Sequence, residues 1–282
     1  MCDTCGCSDD AGVRVSAPLP APHEPAHTHF PAPHDHAGHA HAPHGDRRDA
    51  LQGAGATRTV RLEEPVLARN DALARRHRDW FTDQGVLAVN LMSSPGSGKT
   101  TLLERTVTAL AGSVPVSVVE GDQETLLDAQ RLSATGCRTV QINTGAGCHL
   151  DASMMDTALR TLEPPPRSVL FIENVGNLVC PALFDLGESV RVVVMSVTEG
   201  ADKPLKYPHM FRTADLVLLN KVDLLPHVDF DVDRCLDAAR RARPDVPMLR
   251  VSATTGVGLD SWYDWLRSRL PATDPAALSV PR

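Results

Sequence analysis

The chain has 282 residues, a net charge of −7 and a hydrophobic content of 42%, which is enough for one large domain or two small ones. The acidic balance, without a basic stripe, argues against nucleic acid as the main partner. No apolar run reaches the roughly 18 residues of a membrane helix, and residues 1–10 lack the basic and apolar regions of a secretory signal. We therefore expect a cytoplasmic protein that binds neither a membrane nor nucleic acid.

Cysteine and histidine are concentrated in the N-terminal segment, residues 1–58. Cys2, Cys5 and Cys7 lie within "MCDTCGC", and eight of the twelve histidines fall in 23–44. Thiolates and amines suit a square-planar Ni²⁺ site, whereas Zn²⁺ prefers a tetrahedral one. An odd number of cysteines in a cytoplasmic chain argues against a disulfide framework. Because residues 8–58 contain few large apolar side chains, we predict a disordered segment with a metal-binding cysteine motif and an accessory histidine store.

Ordered structure is predicted to begin near Thr59. In residues 63–81 the apolar side chains of Val66, Leu67, Leu73 and Phe81 recur at roughly helical spacing, together with Trp80. This pattern is typical of an amphipathic helix.

After Gly85, short apolar runs alternate with helix-like segments. Near-continuous runs of Val, Ile and Leu are typical of strands that are buried on both faces. With helices between them, they predict a three-layer α/β domain with a mostly parallel sheet over 59–270, ending in a helix at 258–270 and followed by a flexible tail, 271–282. The predicted strands are 86–92, 114–119, 139–143, 168–173, 190–197, 214–220 and 246–253.

The segment "SSPGSGKTT", residues 93–101, lies between the first strand and a helix. It matches the phosphate-binding P-loop pattern except that Ser93 replaces the first glycine. In such loops the backbone N–H groups surround phosphates, so Lys99 is predicted to reach the β and γ oxygens and the Thr100 hydroxyl to ligate Mg²⁺. The other predicted nucleotide-binding residues here are Gly96, Ser97, Gly98 and Thr101.

The tetrapeptide "NKVD", Asn220 to Asp223, follows the sixth strand. An aspartate at this place accepts two hydrogen bonds from the N1–H and 2-amino group of guanine, a donor pair that adenine lacks. The later "SATTG" segment offers backbone donors at Ser252 and Ala253 for the guanine O6. The ordered set predicts GTP rather than ATP, with Asn220 and Lys221 also in the nucleotide site.

Acidic residues end two of the predicted strands, at the edge where ligands bind in such sheets. Asp122 in "EGD" and Glu173 in "ENVG" are candidate Mg²⁺ partners, directly or through water. Gly176 can donate its N–H to the γ-phosphate. Asp128 is a further candidate for orienting the attacking water, although a solvated helix residue explains it equally well.

A second set of metal ligands lies within the predicted domain. In "TGAGCHLDA", residues 144–152, Cys148 and His149 are adjacent in a glycine-rich loop after the third strand. Cys180 lies four residues after Gly176. We predict that these three side chains converge on a metal beside the loop that senses the γ-phosphate. Cys137 and Cys235 are interpreted as ordinary small apolar residues.

Taken together, "SSPGSGKTTLL", "ENVGNLVCP", "DKPLKYP", "NKVD" and "GCHLDA" resemble the hydrogenase nickel-incorporation GTPase family, HypB. The resemblance covers most of 59–270 and the "MCDTCGC" motif. It implies a P-loop GTPase that forms a nucleotide- and metal-dependent homodimer. We expect slow GTP hydrolysis, because no arginine finger can be nominated from the sequence. It also implies delivery of Ni²⁺ to the precursor of the [NiFe]-hydrogenase large subunit, with a HypA-type partner protein, and Zn²⁺ is an alternative occupant of the domain site.

Other functions fit parts of the same pattern. A His/Cys-rich nickel storage protein would use its GTPase domain only to control oligomerisation. A urease-accessory nickel GTPase handles the same metal, but "MCDTCGC" and "GCHLDA" weigh against it. A cobalamin-enzyme chaperone GTPase would not need these ligands.

Overall fold

The computed structural model describes residues 14–17 and 55–270, with the side chains of the first helix described from Val66 onward. Within this part of the chain one sheet has the strand order β1-β4-β3-β5-β2-β6-β7-β8. β1 is antiparallel to β4, and the other pairings are parallel. The strands are β1 Arg14–Ser16, β2 Leu87–Ser93, β3 Val116–Asp122, β4 Arg138–Asn143, β5 Val169–Glu173, β6 Val190–Ser196, β7 Leu216–Asn220 and β8 Met248–Arg250.

Helices cover both faces of the sheet, because strand residues alternate between the two faces. On one face Val89 and Leu91 of β2 pack with α2, α3 and α8; on the other, Ala88 packs with α1 and α4, and Met92 with α6 and α7. The predicted three-layer α/β fold is confirmed. The helices are α1 Gly55–Gln84, α2 Lys99–Leu110, α3 Leu127–Ala134, α4 Ala152–Leu162, α5 Lys203–Lys206, α6 Pro208–Thr213, α7 Val232–Ala242 and α8 Leu259–Arg267, with 3-10 turns at Cys180–Ala182 and Val222–His227.

The seven predicted strands are all found, each within three residues of its predicted bounds. The predicted first helix is also found, but its buried face differs from the apolar pattern. Val66 and Trp80 are exposed, whereas Asn70 and His77 are buried. Both contact backbone carbonyls: Asn70 Nδ2 donates to Asp185 O at 2.8 Å, and His77 Nδ1 lies 3.1 Å from Leu186 O. Nε2 of His77 has no hydrogen-bond partner among the described residues.

Strand β1 departs from the expectation that residues 1–58 form one disordered segment. Arg14–Ser16 pairs with Asn143 to Gln141 of β4. Without this pairing β4 would be an edge strand, and its outer backbone groups would have no partner in the sheet. Val15 also packs against the core beneath α1 and α4. Helix α1 begins at Gly55, four residues before Thr59. None of the described helices is both long and apolar enough to span a bilayer.

Candidate functional site

The P-loop joins the central strand β2 to helix α2. Lys99 is buried, and its Nζ donates a hydrogen bond to Oγ of Ser93 at 2.6 Å. Burial lowers the pKa of Lys99, although the negative charge of Glu173 opposes this shift. Ser93, in place of the usual glycine, therefore supplies an oxygen partner for the ammonium group. Gly98 has φ 96°, a conformation that favours glycine.

A cavity of about 470 Å³ opens beside this loop, and it brings together residues that are far apart in the sequence. Five predicted residues do not line the cavity. They are Ser97 in the P-loop, Asn220 at the end of β7, and Asp223, Ser252 and Ala253, which follow the ends of β7 and β8 at the same edge of the sheet. The predicted residues that line it are Gly96, Gly98, Lys99, Thr100, Thr101, Asp122, Asp128, Glu173, Gly176 and Lys221.

The side chain of Asn220 joins the P-loop to the loop after β8. Its Nδ2 donates to the carbonyl of Ser97 at 2.9 Å, and its Oδ1 accepts from the N–H of Ala253 at 3.0 Å. Nζ of Lys221 donates to the carbonyl of Gly96 at 2.7 Å. Asn220 and Lys221 therefore stabilise the shape of the nucleotide site from within the protein.

The exposed residue Asp223 lies in the 3-10 turn that follows β7. The N–H of Ser252 donates to the carbonyl of Val257 at 2.8 Å, while that of Ala253 donates to Asn220. Donation from Ala253 to a guanine O6 therefore requires its N–H to leave Asn220. The exposed carboxylate of Asp223 is the more accessible partner for a base.

Two buried carboxyl groups face each other at the ends of β3 and β5. Glu120 and Glu173 are register partners, and Oγ1 of Thr100 donates to Oε1 of Glu173 at 2.8 Å. Burial raises the pKa of Glu173 to about 7 and that of Glu120 to about 9, the latter also because the Glu173 charge lies nearby. Oε2 of each has no hydrogen-bond partner among the described residues. This oxygen-rich set suits a hard cation such as Mg²⁺.

Glu120 was not predicted as a site residue, although it stands two positions before Asp122 on the same strand. Residues two apart in a strand point to the same face, so "EGD" contained the signal for both. The parallel pairing that sets Glu120 opposite Glu173 could be read only from the fold.

The other two predicted acids have partners within the protein. Oδ2 of Asp122 accepts from the N–H and hydroxyl of Thr125 at 2.9 and 2.8 Å. Although burial opposes it, these hydrogen bonds hold the pKa of Asp122 below its ordinary value. Asp128 pairs with Arg131 at 3.1 Å, and Arg131 also binds Glu104 at 2.6 Å. Arg131 lines the cavity. Its pairing with Asp128 follows from helical i,i+3 spacing, whereas its pairing with Glu104 depends on the fold.

The loop after β5 touches the P-loop. A Cβ atom on Gly176 would lie 2.9 Å from the backbone of Pro95, so the two chains are in direct contact at this point. Gly176 therefore contacts the predicted phosphate-binding loop directly, and a displacement of that loop would require Gly176 to move as well.

The structure brings the side chains of Cys148, His149 and Cys180 together. One ligand atom from each lies within 4.8 Å of the others, with Sγ–Sγ at 3.1 Å and Sγ of Cys148 3.6 Å from Nδ1 of His149. The His149 ring stacks on Phe184 with a centroid distance of 3.9 Å. Burial lowers the pKa of His149, which favours the neutral imidazole that binds metals. Thiolate and imidazole ligands suit Ni²⁺ or Zn²⁺.

The remaining predicted metal ligands, Cys2, Cys5 and Cys7, and the histidine-rich stretch 23–44 lie outside the described residues, as does the predicted flexible tail, 271–282.

Comparison with known proteins supports one family. The model of the CobW/HypB/UreG nucleotide-binding domain matches residues 87–250. Hydrogenase maturation factor HypB of Escherichia coli (strain K12) is 48% identical over 95% of this chain and 99% of its own length. The crystal structure of HypB from Archaeoglobus fulgidus matches with a TM-score of 0.68 at 41% identity, over 73% of this chain and 100% of its own. That of HypB from Helicobacter pylori in complex with nickel matches with a TM-score of 0.66 at 38% identity, over 73% and 98%. The chain therefore belongs to the HypB hydrogenase maturation factors, within the CobW/HypB/UreG family of P-loop GTPase domains.

Proposed function

We propose that this protein is a slow GTPase that carries Ni²⁺ and delivers it during maturation of [NiFe]-hydrogenase. The observation that carries the proposal is a single segment, 173–180. It begins at Glu173 in the nucleotide cavity and ends at Cys180 in the metal cluster. The HypB relatives, one of them crystallised in complex with nickel, support the same function.

In this proposal each part of the nucleotide site has one task. The P-loop and Lys99 bind the phosphates, and Asp223 selects guanine. Thr100 and Glu173, with Asp122 or Glu120 directly or through water, are the residues that would hold Mg²⁺. When bound, this cation supplies charge neutralisation for the phosphate oxygens.

Slow turnover is expected because the charge of a cavity arginine is already engaged. Arg131 contacts both oxygens of Glu104 at 3.1 and 2.6 Å and donates to Thr101 Oγ1 at 3.2 Å. P-loop GTPases without a free arginine at the phosphate hydrolyse GTP slowly. Asp128 is the candidate for orienting the attacking water, although its pairing with Arg131 competes with that role.

We expect the affinity for Mg²⁺–GDP to fall as the pH drops from about 8 to about 6. For each proton that binding releases, the affinity falls by up to about tenfold per pH unit. The pKa of Glu173 is raised to about 7 by burial, so this carboxyl is largely protonated below that pH. A cation favours the ionised form, and binding therefore releases the proton. Calorimetric titration in two buffers of different ionisation enthalpy measures this release. Glu173→Gln and Glu120→Gln divide it between the two carboxyls, and a wild-type affinity independent of pH would contradict the assignment.

We expect nucleotide state and metal occupancy to be coupled, with a factor of roughly 5–150. Loss of the γ-phosphate lets the loop at Gly176 relax, and the same loop moves Cys180 relative to Cys148 and His149. The test compares Ni²⁺ affinity of the chain loaded with GDP or with a non-hydrolysable GTP analogue. Cys148→Ala identifies the contribution of the domain site. Identical affinities in the two nucleotide states would rule the coupling out.

The surroundings of the metal cluster support assembly with a second copy. Val179 and Leu183, on either side of Cys180, are 51% and 49% exposed. Apolar side chains beside a metal ligand suit a homodimer that depends on nucleotide and metal. A HypA-type protein and the hydrogenase large-subunit precursor are the further partners we propose, in the cytoplasm, where thiolate ligands stay reduced.

A further inference from the structure

The buried residue Asn174 is one of the residues that line the nucleotide cavity, and its side chain also bonds to the loop that follows β4. It follows Glu173 directly and is 1% exposed. Its Oδ1 accepts two backbone hydrogen bonds, from Leu150 N–H at 3.2 Å and from Val175 N–H at 3.0 Å. Since only the amide oxygen can accept from two N–H groups, these contacts fix which way the amide faces.

The first of these partners belongs to the loop between β4 and α4, residues 144–151, which carries Cys148 and His149 and is called the metal loop. Leu150 follows Cys148 and His149 directly, and its side chain is fully buried. A Cβ atom on Gly121 would lie 2.9 Å from that side chain. Gly121 stands between the cavity residues Glu120 and Asp122. The end of the metal loop is therefore fixed against both strands that carry the carboxyl groups of the nucleotide site.

The second partner, Val175, belongs to the loop after β5, residues 174–179, which contains Gly176 and is called the nucleotide loop. One side-chain oxygen thus binds the backbone of both loops at once. The rest of Asn174 is held by the central strand: its N–H donates to the carbonyl of Leu91 at 3.0 Å, and its Nδ2 donates to Oδ1 of Asn90 at 3.3 Å. Asn90 in turn donates to Glu188 at 3.1 Å.

This arrangement limits how the two loops can move. If Val175 moves and the Asn174 amide moves with it, the hydrogen bond to Asn90 breaks. If the amide stays in place, the hydrogen bond from Val175 N–H breaks instead. A displacement of the nucleotide loop therefore changes the hydrogen bond to Leu150. We propose that Asn174 is the positioning residue that transmits the nucleotide state to the metal loop, a role that rests on the coupling in the proposed function.

The test measures the coupling factor in the full-length chain carrying Cys2→Ala, Cys5→Ala and Cys7→Ala, which leaves the domain cluster as the remaining cysteine site for Ni²⁺. Affinities for GDP and a non-hydrolysable GTP analogue are determined with and without Ni²⁺. Because coupling of binding is reciprocal, the ratio of these affinities gives the same factor as the metal titration. In Asn174→Ala we expect the factor to fall to about 1, whatever the affinity of each ligand measured alone, because the factor is a ratio of affinities within one variant.

Asn70→Ala is the matched control. Asn70 is also a buried asparagine, and its Oδ1 accepts from the N–H of Ala152 at 2.8 Å, so it holds the same segment from the side of helix α1. Within the described part of the chain its side-chain hydrogen bonds go to Asp185 and Ala152, and none goes to the nucleotide loop. We expect this variant to keep the coupling factor, so a loss in both variants would show general loosening of the loop and overturn the assignment.

The outcomes separate this inference from the proposed function. No coupling in the chain with Asn174 present would contradict the proposed function itself. Coupling that persists unchanged in Asn174→Ala would overturn only the role of Asn174. Amide hydrogen exchange of Leu150 in the unsubstituted protein gives a second measurement that needs no folded variant. Its protection should differ between the GDP and GTP-analogue states, and equal protection would also overturn the inference.

Discussion

The substitution Asp223→Asn is expected to weaken GTP binding by about 100-fold or more and to improve binding of xanthosine triphosphate. A carboxylate that accepts from N1–H and the 2-amino group makes two charge-assisted hydrogen bonds, each contributing about 1.5–3 kcal/mol. The loss of about 3 kcal/mol corresponds to roughly 100-fold in affinity. Xanthine carries an oxygen where guanine carries the amino group, so the amide of asparagine restores a matched pair.

The structure makes this variant easy to interpret. Asp223 is exposed, whereas Asn220 and Lys221 are bonded to the P-loop. Replacing Asp223 should therefore change the free energy of unfolding by no more than about 0.5 kcal/mol, as for other surface substitutions. Asp229→Asn, another exposed carboxylate after β7, is the control and should leave both nucleotide affinities unchanged. Equal hydrolysis of ATP and GTP by the wild type would contradict the base assignment.

The substitution Cys180→Ala is expected to weaken Ni²⁺ binding at the domain cluster by more than about 100-fold, because loss of a residue that merely orients a ligand already costs 10–100-fold. Sγ of Cys180 lies 3.1 Å from that of Cys148, so both thiolates can reach one ion. The GTPase activity measured with Mg²⁺ and without Ni²⁺ should remain, since Cys180 does not line the nucleotide cavity. Titration with Ni²⁺, followed by thiolate-to-metal absorption, measures the loss.

Two further variants separate the metal sites. Cys137→Ala removes another half-buried cysteine, at the start of β4 and away from the cluster, and should leave the absorption band unchanged. The triple change Cys2→Ala, Cys5→Ala and Cys7→Ala should remove the tightest Ni²⁺ site and leave Cys180-dependent binding in place. If deletion of 23–44 alone abolished the tight site, the assignment to the cysteine motif would be wrong.

The regular strands and the P-loop could be predicted because their signals are local. A strand buried on both faces is a continuous apolar run, and a phosphate-binding turn needs glycine at fixed positions. The metal cluster was also predictable in outline, since Cys148, His149 and Cys180 follow strands that end at the same edge of the sheet. Their convergence to within 4.8 Å depends on the packing of the two loops.

Other features depended on partners far away in the chain. The pattern of helix α1 placed Val66 and Trp80 on its apolar face, but Asn70 and His77 are buried instead. Each lies within hydrogen-bond distance of a backbone carbonyl, at Asp185 and Leu186 respectively. Strand β1 has little apolar character of its own and forms because the edge of β4 offers unpaired backbone groups.

The fold class, the nucleotide motifs and the candidate metal ligands could therefore be predicted, because each of these depends on residue type and short-range spacing. The pairing of Glu120 with Glu173 and the hydrogen bond between Asn174 and Leu150 could be read only from the packed fold. Strand register sets the first pair, and the approach of two loops 24 residues apart sets the second. A buried polar group takes whichever partner the packed fold brings within reach, and local spacing carries no record of that choice.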